Sequence, residues 1–559
     1  MNWILLLPVL TLLVLGCQSS CSSENESPDL ILHGGLIYTQ AQAGIVEAIA
    51  VQEGRVLAAG GDSEICVLAG PSTKVIDLAG RAAYPGFADG HAHLLGIGTA
   101  AENLDLIGTE SMEDVLGRTL ERHRKLVAGD WLTGRGWDQN DWKVQEFPTH
   151  HGLSEMIPDR PVLLTRVDGH ALLANKAAMD AAGITRDTPD PEGGLIVHDQ
   201  NGEPTGVFID AAENLIWKVV PDISTSACRS AILTATDILH RQGITAFHDA
   251  GMGQNVLDVL VDLEQQGELK LRLHEMLAGS NPGLLERFFA SGPIDDSQGN
   301  GLLNVRSIKL YADGALGSRG AALIEPYTDD HGNHGLILTS PEEMLEVCEK
   351  ALVHGFQVCT HSIGDRGVRQ ALEVYARAME SSQATDTRFR VEHAQVVHPD
   401  DFARFAELGV IPAMQAQHQT SDMPWAESRL GPKRIHGAYA WRSFIEAGCI
   451  VPGGSDAPVE RLDVVAQFAA AVTRQTIDGE PAGGWYPDQS MTRQEALNML
   501  TTWPAQAAFR ENDLGRLAPG YRADLAIFEG DLMIVPTEKL GDCKPVMTVF
   551  AGQVVWQAD

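Results

Sequence analysis

Short β-rich runs alternate with amphipathic helices through most of this 559-residue chain, and this rhythm restricts the fold more than any other feature. A first strand-like run ends near His91, and helices such as 341–354 and 399–408 separate the later runs. Those later runs cover residues 245–249, 271–276, 305–311, 356–361, 389–393, 410–415 and 449–453. Eight strand–helix units predict an α/β fold built on a closed (β/α)8 barrel of TIM type.

The two ends of the chain share a different style, in which short β-runs are separated by glycine. We expect residues 29–85 and 515–559 to form one small β-sandwich module together. The barrel then occupies residues 86–514. Residues from about 100 to 225 interrupt the strand–helix rhythm, so we expect them to form a large insertion near the barrel mouth.

Residues 1–16 have the pattern of an export signal. The apolar run Ile4–Leu15 is too short to span a bilayer as a helix, and a small residue follows it at the cleavage point. The end of this segment resembles the lipobox of bacterial lipoproteins, in which the cysteine, here Cys17, carries the lipid. We therefore expect an exported protein, tethered by residues 17–28 and lipid-anchored to a bacterial membrane, facing the periplasm or the cell exterior. Because no Lys or Arg precedes the apolar run, a soluble secreted or periplasmic protein is the alternative.

The net charge narrows the range of partners. Lys and Arg number 41 against 75 Asp and Glu, which leaves a formal charge of −34. Such a surface repels nucleic acid and anionic lipid. We expect a small-molecule substrate, no nucleic-acid partner, and membrane contact only through the lipid on Cys17. The sequence leaves open whether the protein forms a homodimer.

Histidines and one aspartate fall where barrel enzymes gather their chemistry. His91 and His93 are two residues apart, so on a strand both side chains point to the same face. His361 and His393 end two later predicted strands, and Asp456 follows another. Since the C-terminal ends of barrel strands meet at one face, these side chains predict a metal site there.

Lys309 lies on a predicted strand on which Val305, Ser307, Lys309 and Tyr311 share one face. An inward lysine is costly unless it is paired or chemically modified. The residue pattern alone leaves two interpretations open, a modified metal-site lysine or a lysine that is satisfied at an edge or by a partner.

Motifs that contain these residues resemble a known family. They occur in the order PGFADGHAHL, IKLYADGALGSR, CTHSIGDRGV, RVEHAQ and GGSDAPV, and they are similar to those of the amidohydrolase superfamily, in particular the amidohydrolase family 3 or YtcJ-like branch. The resemblance covers nearly all of residues 29–556.

The resemblance implies a complete metal site. His91 and His93 would bind one metal, His361 and His393 a second, and Asp456 would be the carboxylate ligand. Lys309 would be carboxylated on its amine to bridge two ions. The cofactor would be one or two divalent metals; zinc suits imidazole and carboxylate ligands, and Mn, Fe or Co stay open.

The implied reaction is hydrolysis of an amide-type C–N bond, but not a peptide bond, in a small molecule. A metal-activated hydroxide would attack the carbonyl, and Asp456 would act as general base and then as general acid. The alternatives are an esterase-type hydrolase that uses the same site and a binding lipoprotein without turnover.

Residues that could contact the substrate are less well determined by the sequence. Trp137, Asp138 and His170 lie in the insertion, and Asp313 and Arg319 follow the strand that carries Lys309. For the insertion residues, an aromatic core and ordinary loop polarity are the alternative interpretation. Glu392 directly precedes His393, so we expect it to face the opposite way and to be structural.

Overall fold

A computed structural model of the chain describes residues 27–125, 131–221, 223–296 and 299–559. The predicted signal peptide, Cys17 and most of the predicted tether lie outside these residues, so the expected lipid anchor stays a prediction. Within the described ranges, no helix combines the length and apolar character that crossing a bilayer requires.

Seven parallel strands form the wall of a barrel, and each pairs with the next along the chain. Each one overlaps a strand that the sequence predicts. They are Phe87–Ala92, Ile244–Met252, Arg272–Ala278, Leu303–Tyr311, Gln357–Ser362, Arg390–His393 and Ile411–Ala413. A short antiparallel strand, Ile294–Asp295, pairs with the fourth.

Residues 449–453, predicted as the eighth strand, close the barrel without forming a regular strand. The Pro452 carbonyl accepts a 3.0 Å hydrogen bond from Met414 N on one side, and the Gly453 carbonyl accepts a 2.7 Å bond from Gly90 N on the other. Pro452 has no N–H to donate and two glycines follow it, which explains why the ladder stays incomplete. The predicted TIM-type barrel is confirmed, with this difference at its last position.

Helices lie between the barrel strands in sequence, as a strand–helix repeat requires. The helix Pro341–His354 shows why they form where predicted: Ser340 and Glu343 make a capping box, and Gly355 ends the helix at φ 80°. The helices of the barrel are Leu94–Glu102, Thr225–Arg241, Gln254–Gln265, Pro282–Ser291, Pro341–His354, Asp365–Ser382, Phe402–Leu408, Ala416–Asp422, Ala426–Arg434, Trp441–Glu446, Val464–Thr473, Arg493–Met499 and Thr502–Ala507.

The interrupted region of the sequence forms a mixed six-stranded sheet of its own. In spatial order its strands are Gly194–His198, Pro204–Asp210, Ala171–Ala174, Val162–Arg166, Leu132–Trp137 and Leu104–Asp105. Apolar side chains are buried on both faces of this sheet, since Leu164 and Leu163 belong to separate hydrophobic clusters. The helices of this region are Met112–His123, His151–Met156, Lys176–Ala181 and Asn214–Trp217.

Residues from both ends of the chain form a two-sheet module, as the sequence predicts. One sheet contains Arg55–Gly60, Ala48–Gln52, Leu30–His33 and Lys74–Asp77, and the other contains Gln553–Gln557, Lys544–Phe550, Leu525–Glu529, Ala82–Pro85, Leu36–Tyr38 and Ile45–Val46. A single apolar core joins the sheets, with Leu32 and Ile49 from the first meeting Leu525 and Val549 from the second. The short helix Asp62–Ile65 packs beside the first sheet.

A buried ion pair connects this module to the N-terminal end of the barrel strands. The Asp524 carboxylate accepts hydrogen bonds from Arg272 Nε at 2.5 Å and from Arg272 Nη2 at 3.0 Å. Arg272 begins the third barrel strand, so the module covers the end of the barrel opposite to the strand ends that carry the predicted ligands.

Candidate active site

The two histidines of the HAH motif lie at the C-terminal end of the first barrel strand. Both imidazoles face Asp456, with Nε2 of His93 and of His91 at 3.2 and 3.5 Å from its Oδ1. His91 is fully buried, whereas the His93 side chain is 34% exposed and faces the cavity above. The two-residue spacing on a strand therefore brings both rings to one carboxylate.

His361 and His393 complete a cluster of four imidazoles. The ring centres of His361 and His393 are 4.6 Å apart, and those of His91 and His393 are 4.8 Å apart. Ligand atoms of His91, His393 and Asp456 all lie within 4.8 Å of one another. His393 and Asp456 have φ values of 73° and 56°, a strained region for residues other than glycine that occurs often at functional sites.

Lys309 lies inside the barrel beside these histidines. Its Nζ is 3.3 Å from His91 Nε2 and 5.0 Å from the centre of the Tyr311 ring. The side chain is buried, and no carboxylate of the described residues forms an ion pair with it. Lys309 is therefore an interior lysine in contact with His91 and does not lie at a sheet edge.

The electrostatics of the cluster suit a divalent cation. Burial lowers the pKa of His91 to about 4, and burial likewise holds the pKa of His361 and of His393 well below the usual value, so all three rings are neutral at pH 7. Burial raises the pKa of Asp456, but the surrounding imidazoles of His93, His393 and His91 hold it well below its usual value. Asp456 Oδ1 is buried and lacks a donor with hydrogen-bond geometry in the described part of the chain. Neutral imidazoles, an ionised carboxylate and a buried oxygen without a partner are a donor set that fits a metal.

Glu392 takes part in this site, so the expectation that it faces the opposite way is wrong. Its carboxylate contacts His91 Nδ1 and accepts hydrogen bonds from Arg390 Nε at 2.6 Å and Arg390 Nη2 at 2.8 Å. The strand ends at His393, whose positive φ turns that side chain away from the regular alternation. Because a carboxylate only accepts, Glu392 fixes the Nδ1–H tautomer of His91 and leaves the Nε2 lone pair directed at the cluster.

Further polar residues, which were not predicted from the sequence to be functional, support the cluster. Asp89 accepts bonds from Ser455 N at 3.0 Å and Ser455 Oγ at 2.5 Å, which holds the loop that precedes Asp456. Gln415 Oε1 lies 2.8 Å from His393 Nδ1, and His418 Nε2 lies 3.6 Å from Asp456 Oδ2. Their positions next to strand ends are the only signal in the sequence.

A cavity of about 660 Å³ lies above the cluster. The insertion forms part of its wall and contributes two predicted substrate contacts, Asp138 and His170. His170 Nδ1 is 2.6 Å from Asp210 Oδ1, and its ring centre is 5.1 Å from that of His361. Burial lowers the pKa of His170, but the hydrogen bond and charge of Asp210 outweigh this effect and raise the pKa to about 9. A cationic imidazole therefore faces the space above the cluster.

The other three predicted substrate contacts are placed elsewhere. Trp137 is 0% exposed in the insertion core, where its indole N–H donates to the Leu164 carbonyl at 2.6 Å. Asp313 is buried and accepts bonds from the backbone of Ile363 and Gly364. Arg319 is paired with Asp329 at 3.0 Å. Each of these three side chains stabilises the surrounding structure and does not line the cavity.

Two arginines from the insertion line the cavity and were not identified from the sequence. Arg135 and Arg166 lie on paired parallel strands of the insertion sheet. Arg166 forms ion pairs with Asp138 and Asp168. The sequence offered one signal, an arginine between two glycines directly before Trp137 and Asp138.

Comparison with known proteins identifies the family of the chain. A family described as "Amidohydrolase family" matches residues 74–556. The chain belongs to this amidohydrolase family. It is 34% identical to YtcJ of Bacillus subtilis strain 168, described as an amidohydrolase, over 94% of this chain and 99% of that protein. The resemblance predicted from the sequence motifs is thereby confirmed.

Two further relatives support this amidohydrolase assignment. The chain is 27% identical to N-substituted formamide deformylase of Arthrobacter pascens, over 94% of this chain and 97% of that protein. An uncharacterized metal-dependent hydrolase from Pyrococcus horikoshii OT3 has the same fold, with a TM-score of 0.73, 27% identity, and coverage of 91% of this chain and 99% of that structure. This amidohydrolase is therefore a hydrolase of C–N bonds in a metal-dependent family.

Proposed function

We propose that this amidohydrolase cleaves the amide-type C–N bond of a small molecule, with Asp456 as its general base and acid. Water and the amide R–CO–NH–R′ give the carboxylic acid R–COOH and the amine R′–NH2. The observation that supports this proposal is the position of Asp456, ionised and surrounded by histidines at the base of a cavity large enough for a small molecule.

The metal ligands that we propose are His91, His93, Lys309, His361, His393 and Asp456. A divalent ion bound there, which we propose to be zinc, supplies two effects: it lowers the pKa of bound water, and it polarises the substrate carbonyl. The support for this set is the neutral state of the buried imidazoles and the Asp456 oxygen without a partner.

We further propose that Lys309 carries an N6-carboxylate. The neutral amine and CO2 give the carbamate with release of one proton, which converts a buried basic group into an anionic ligand. This change suits the surroundings of Lys309, which lies 3.3 Å from His91 Nε2 and forms no ion pair within the described residues. Metal content is the measurement that tests it. Reconstitution with bicarbonate should restore more metal than reconstitution in CO2-depleted buffer, and equal loading of both samples would contradict the modification.

Asp456 has two successive roles in the proposed reaction. It first takes a proton from the attacking water and then donates this proton to the departing nitrogen, since an amide anion is too poor a leaving group. Its Oδ1 lies 3.2 and 3.5 Å from the Nε2 atoms of His93 and His91 and has no hydrogen-bond donor among the described residues, which leaves it available to the water. His170, cationic beside Asp210, faces the same space and would stabilise negative charge on the carbonyl oxygen.

A panel of small amides and their ester counterparts tests the proposed function. N-substituted formamides belong in the panel because of the similarity to the deformylase from Arthrobacter pascens. Asp456→Asn should lower kcat by about 10²–10⁴-fold at unchanged protein fold, the range for a missing general base. The matched control is Asp531→Asn, which changes a buried carboxylate in the terminal module.

Each outcome of this panel separates the candidate functions. Hydrolysis of amides that depends on Asp456 supports the proposal. Hydrolysis of esters alone favours the esterase, and folded, metal-loaded protein that turns over neither series favours a binding protein. An Asp456→Asn variant as active as the wild type would refute the role of Asp456.

We also propose that the protein is exported and anchored through lipid on Cys17. The support is the sequence Val14-Leu15-Gly16-Cys17 after the apolar segment. Mass spectrometry of the mature N-terminus tests it. A diacylglyceryl mass on Cys17 is the expected result, and an unmodified N-terminus elsewhere would favour the soluble secreted protein.

A further inference from the structure

One wall of the cavity contains an arginine that lacks an anionic partner among the residues that the structure describes. Arg135 and Arg166 lie on neighbouring strands, but their surroundings differ. Arg166 donates to Asp138, to Asp168 and to Gln139 Oε1 at 2.9 Å. Within the described residues, the hydrogen bond from Arg135 goes to the Val167 carbonyl at 2.9 Å, and its buried Nε has no acceptor.

The carboxylates whose charges act most strongly on Arg135 are either occupied by other groups or protonated. Asp168 is paired with Arg166 and accepts the His170 backbone N–H at 3.1 Å. Burial raises the pKa of Glu213 to about 8, so this group is mainly protonated at pH 7. Asp456 belongs to the metal cluster. None of these groups is within ion-pair distance of Arg135.

An arginine cation without an anionic partner is energetically unfavourable in these surroundings. Burial lowers the pKa of Arg135, which means that its charged form is disfavoured by the surroundings. A buried charge is stabilised when a charged partner with good hydrogen-bond geometry pairs with it. In this protein the open side of the arginine is the cavity, so the missing partner has to come from there.

The backbone holds the guanidinium in place for this purpose. Gly169, at φ +76°, packs against it so closely that a Cβ atom there would lie 3.1 Å from Nη2. The Val167 carbonyl fixes the same nitrogen from the other side of this turn. A fixed, planar group with several unused N–H donors matches the geometry of a carboxylate.

We propose that Arg135 binds a carboxylate of the substrate, so that the physiological substrate is an amide that also carries a carboxylate, as N-acyl amino acids do. This inference rests on the proposed amide hydrolysis, because it assigns the substrate class of the same site. One unpaired guanidinium balances one negative charge, which favours a carboxylate over a phosphate dianion. The remaining arginine of the cavity, Arg461, is exposed to solvent.

A binding experiment tests the inference without turnover. The full chain with Asp456→Asn is titrated by calorimetry with N-acetyl-L-alanine and with its neutral analogue N-acetyl-L-alaninamide. We expect the anionic probe to bind at least about tenfold more tightly, as charge-assisted hydrogen bonds to arginine imply. Adding Arg135→Gln should bring the two affinities together. The matched control, Arg229→Gln, removes a cation that is paired with Asp262 on the outer helices and should preserve the preference.

Equal binding of the two probes, no binding of N-acetyl-L-alanine, or a preference that survives Arg135→Gln would overturn the inference. Kinetics on the active chain distinguish its failure from failure of the proposed function. If the wild type hydrolyses neutral amides but binds no carboxylate preferentially, the inference alone fails. If Arg135 discriminates the probes but no amide is hydrolysed, the anion site stands and the proposed reaction fails.

Discussion

Replacing Glu392 by glutamine tests how the site holds His91 in its metal-binding form. Glu392 Oε1 accepts from Arg390 Nε, whereas Oε2 accepts from both Arg390 Nη2 and His91 Nδ1. A glutamine of the same shape must place its NH2 group either against Arg390 Nε or against both Arg390 Nη2 and His91 Nδ1. If the NH2 faces His91, the ring has to accept at Nδ1 and carry its proton on Nε2, so Nε2 loses the lone pair that a metal needs.

The size of the effect follows from these contacts. Loss of a partner that orients a metal-bound histidine typically lowers metal affinity by about 10–100-fold, or about 1.4–2.7 kcal/mol. The metal-free protein should lose stability as well, because Arg390 is fully buried and loses its counter-charge. Complete removal of such a partner costs about 3–5 kcal/mol, and the amide oxygen of glutamine retains one acceptor, so we expect about 2–3 kcal/mol.

The assay is a competition between metal-free protein and a chromophoric zinc chelator, combined with urea unfolding of the metal-free forms. The matched control is Glu511→Gln, which weakens another bidentate pair, with Arg388, outside the cavity. This control should lose stability without losing metal affinity. If Glu392→Gln binds zinc as tightly as the wild type while folded, the account of His91 orientation is refuted.

Three further substitutions test other parts of the structure. Trp137→Phe should lower the free energy of unfolding by about 1–3 kcal/mol, because it removes the hydrogen bond to the Leu164 carbonyl and leaves a small cavity, and KM should stay unchanged. A raised KM with normal stability would instead place Trp137 at the substrate. Glu213→Gln should gain about 3 kcal/mol of stability relative to the wild type as the pH rises from 5.5 to 8, measured by urea unfolding. The reason is that the carboxyl of the folded wild type stays protonated up to a pKa of about 8, whereas the carboxyl of the unfolded chain ionises. A stability difference that is independent of pH would contradict this. Asp524→Asn should lower the free energy of unfolding by about 3–5 kcal/mol, because it breaks the buried ion pair with Arg272. Thermal unfolding followed by calorimetry measures this loss, and a loss below about 1 kcal/mol would contradict the prediction.

Much of the barrel could be predicted from local sequence patterns. Strand and helix periodicities arise within a few residues, so the runs that carry Lys309, His361 and His393 were placed in the correct elements. The spacing of His91 and His93 has meaning only on a strand, and the strand is observed. The end of the barrel at which they meet follows from parallel strands sharing one direction.

The eighth strand and Glu392 show where local patterns stop being sufficient. Residues 449–453 have the composition of a strand, but Pro452 and the following glycines leave them attached by single hydrogen bonds. Alternation along a strand predicts that Glu392 and His393 face opposite ways, and this rule ends where His393 adopts a positive φ. Backbone conformation of that kind depends on the packed surroundings and not on residue type alone.

The sequence by itself determined the barrel, the module formed from both ends, and the order of the residues that we propose as metal ligands, because each follows from periodicity or from motif order. Only the tertiary structure decided that Trp137 belongs to the insertion core while Arg135, two residues earlier, faces the cavity. The physical reason is a register shift between Arg135 and Trp137 in the pairing with the strand of Arg166, because residues two apart on a regular strand would share one face. The partners of a charged group, and therefore its chemistry, come from that long-range pairing.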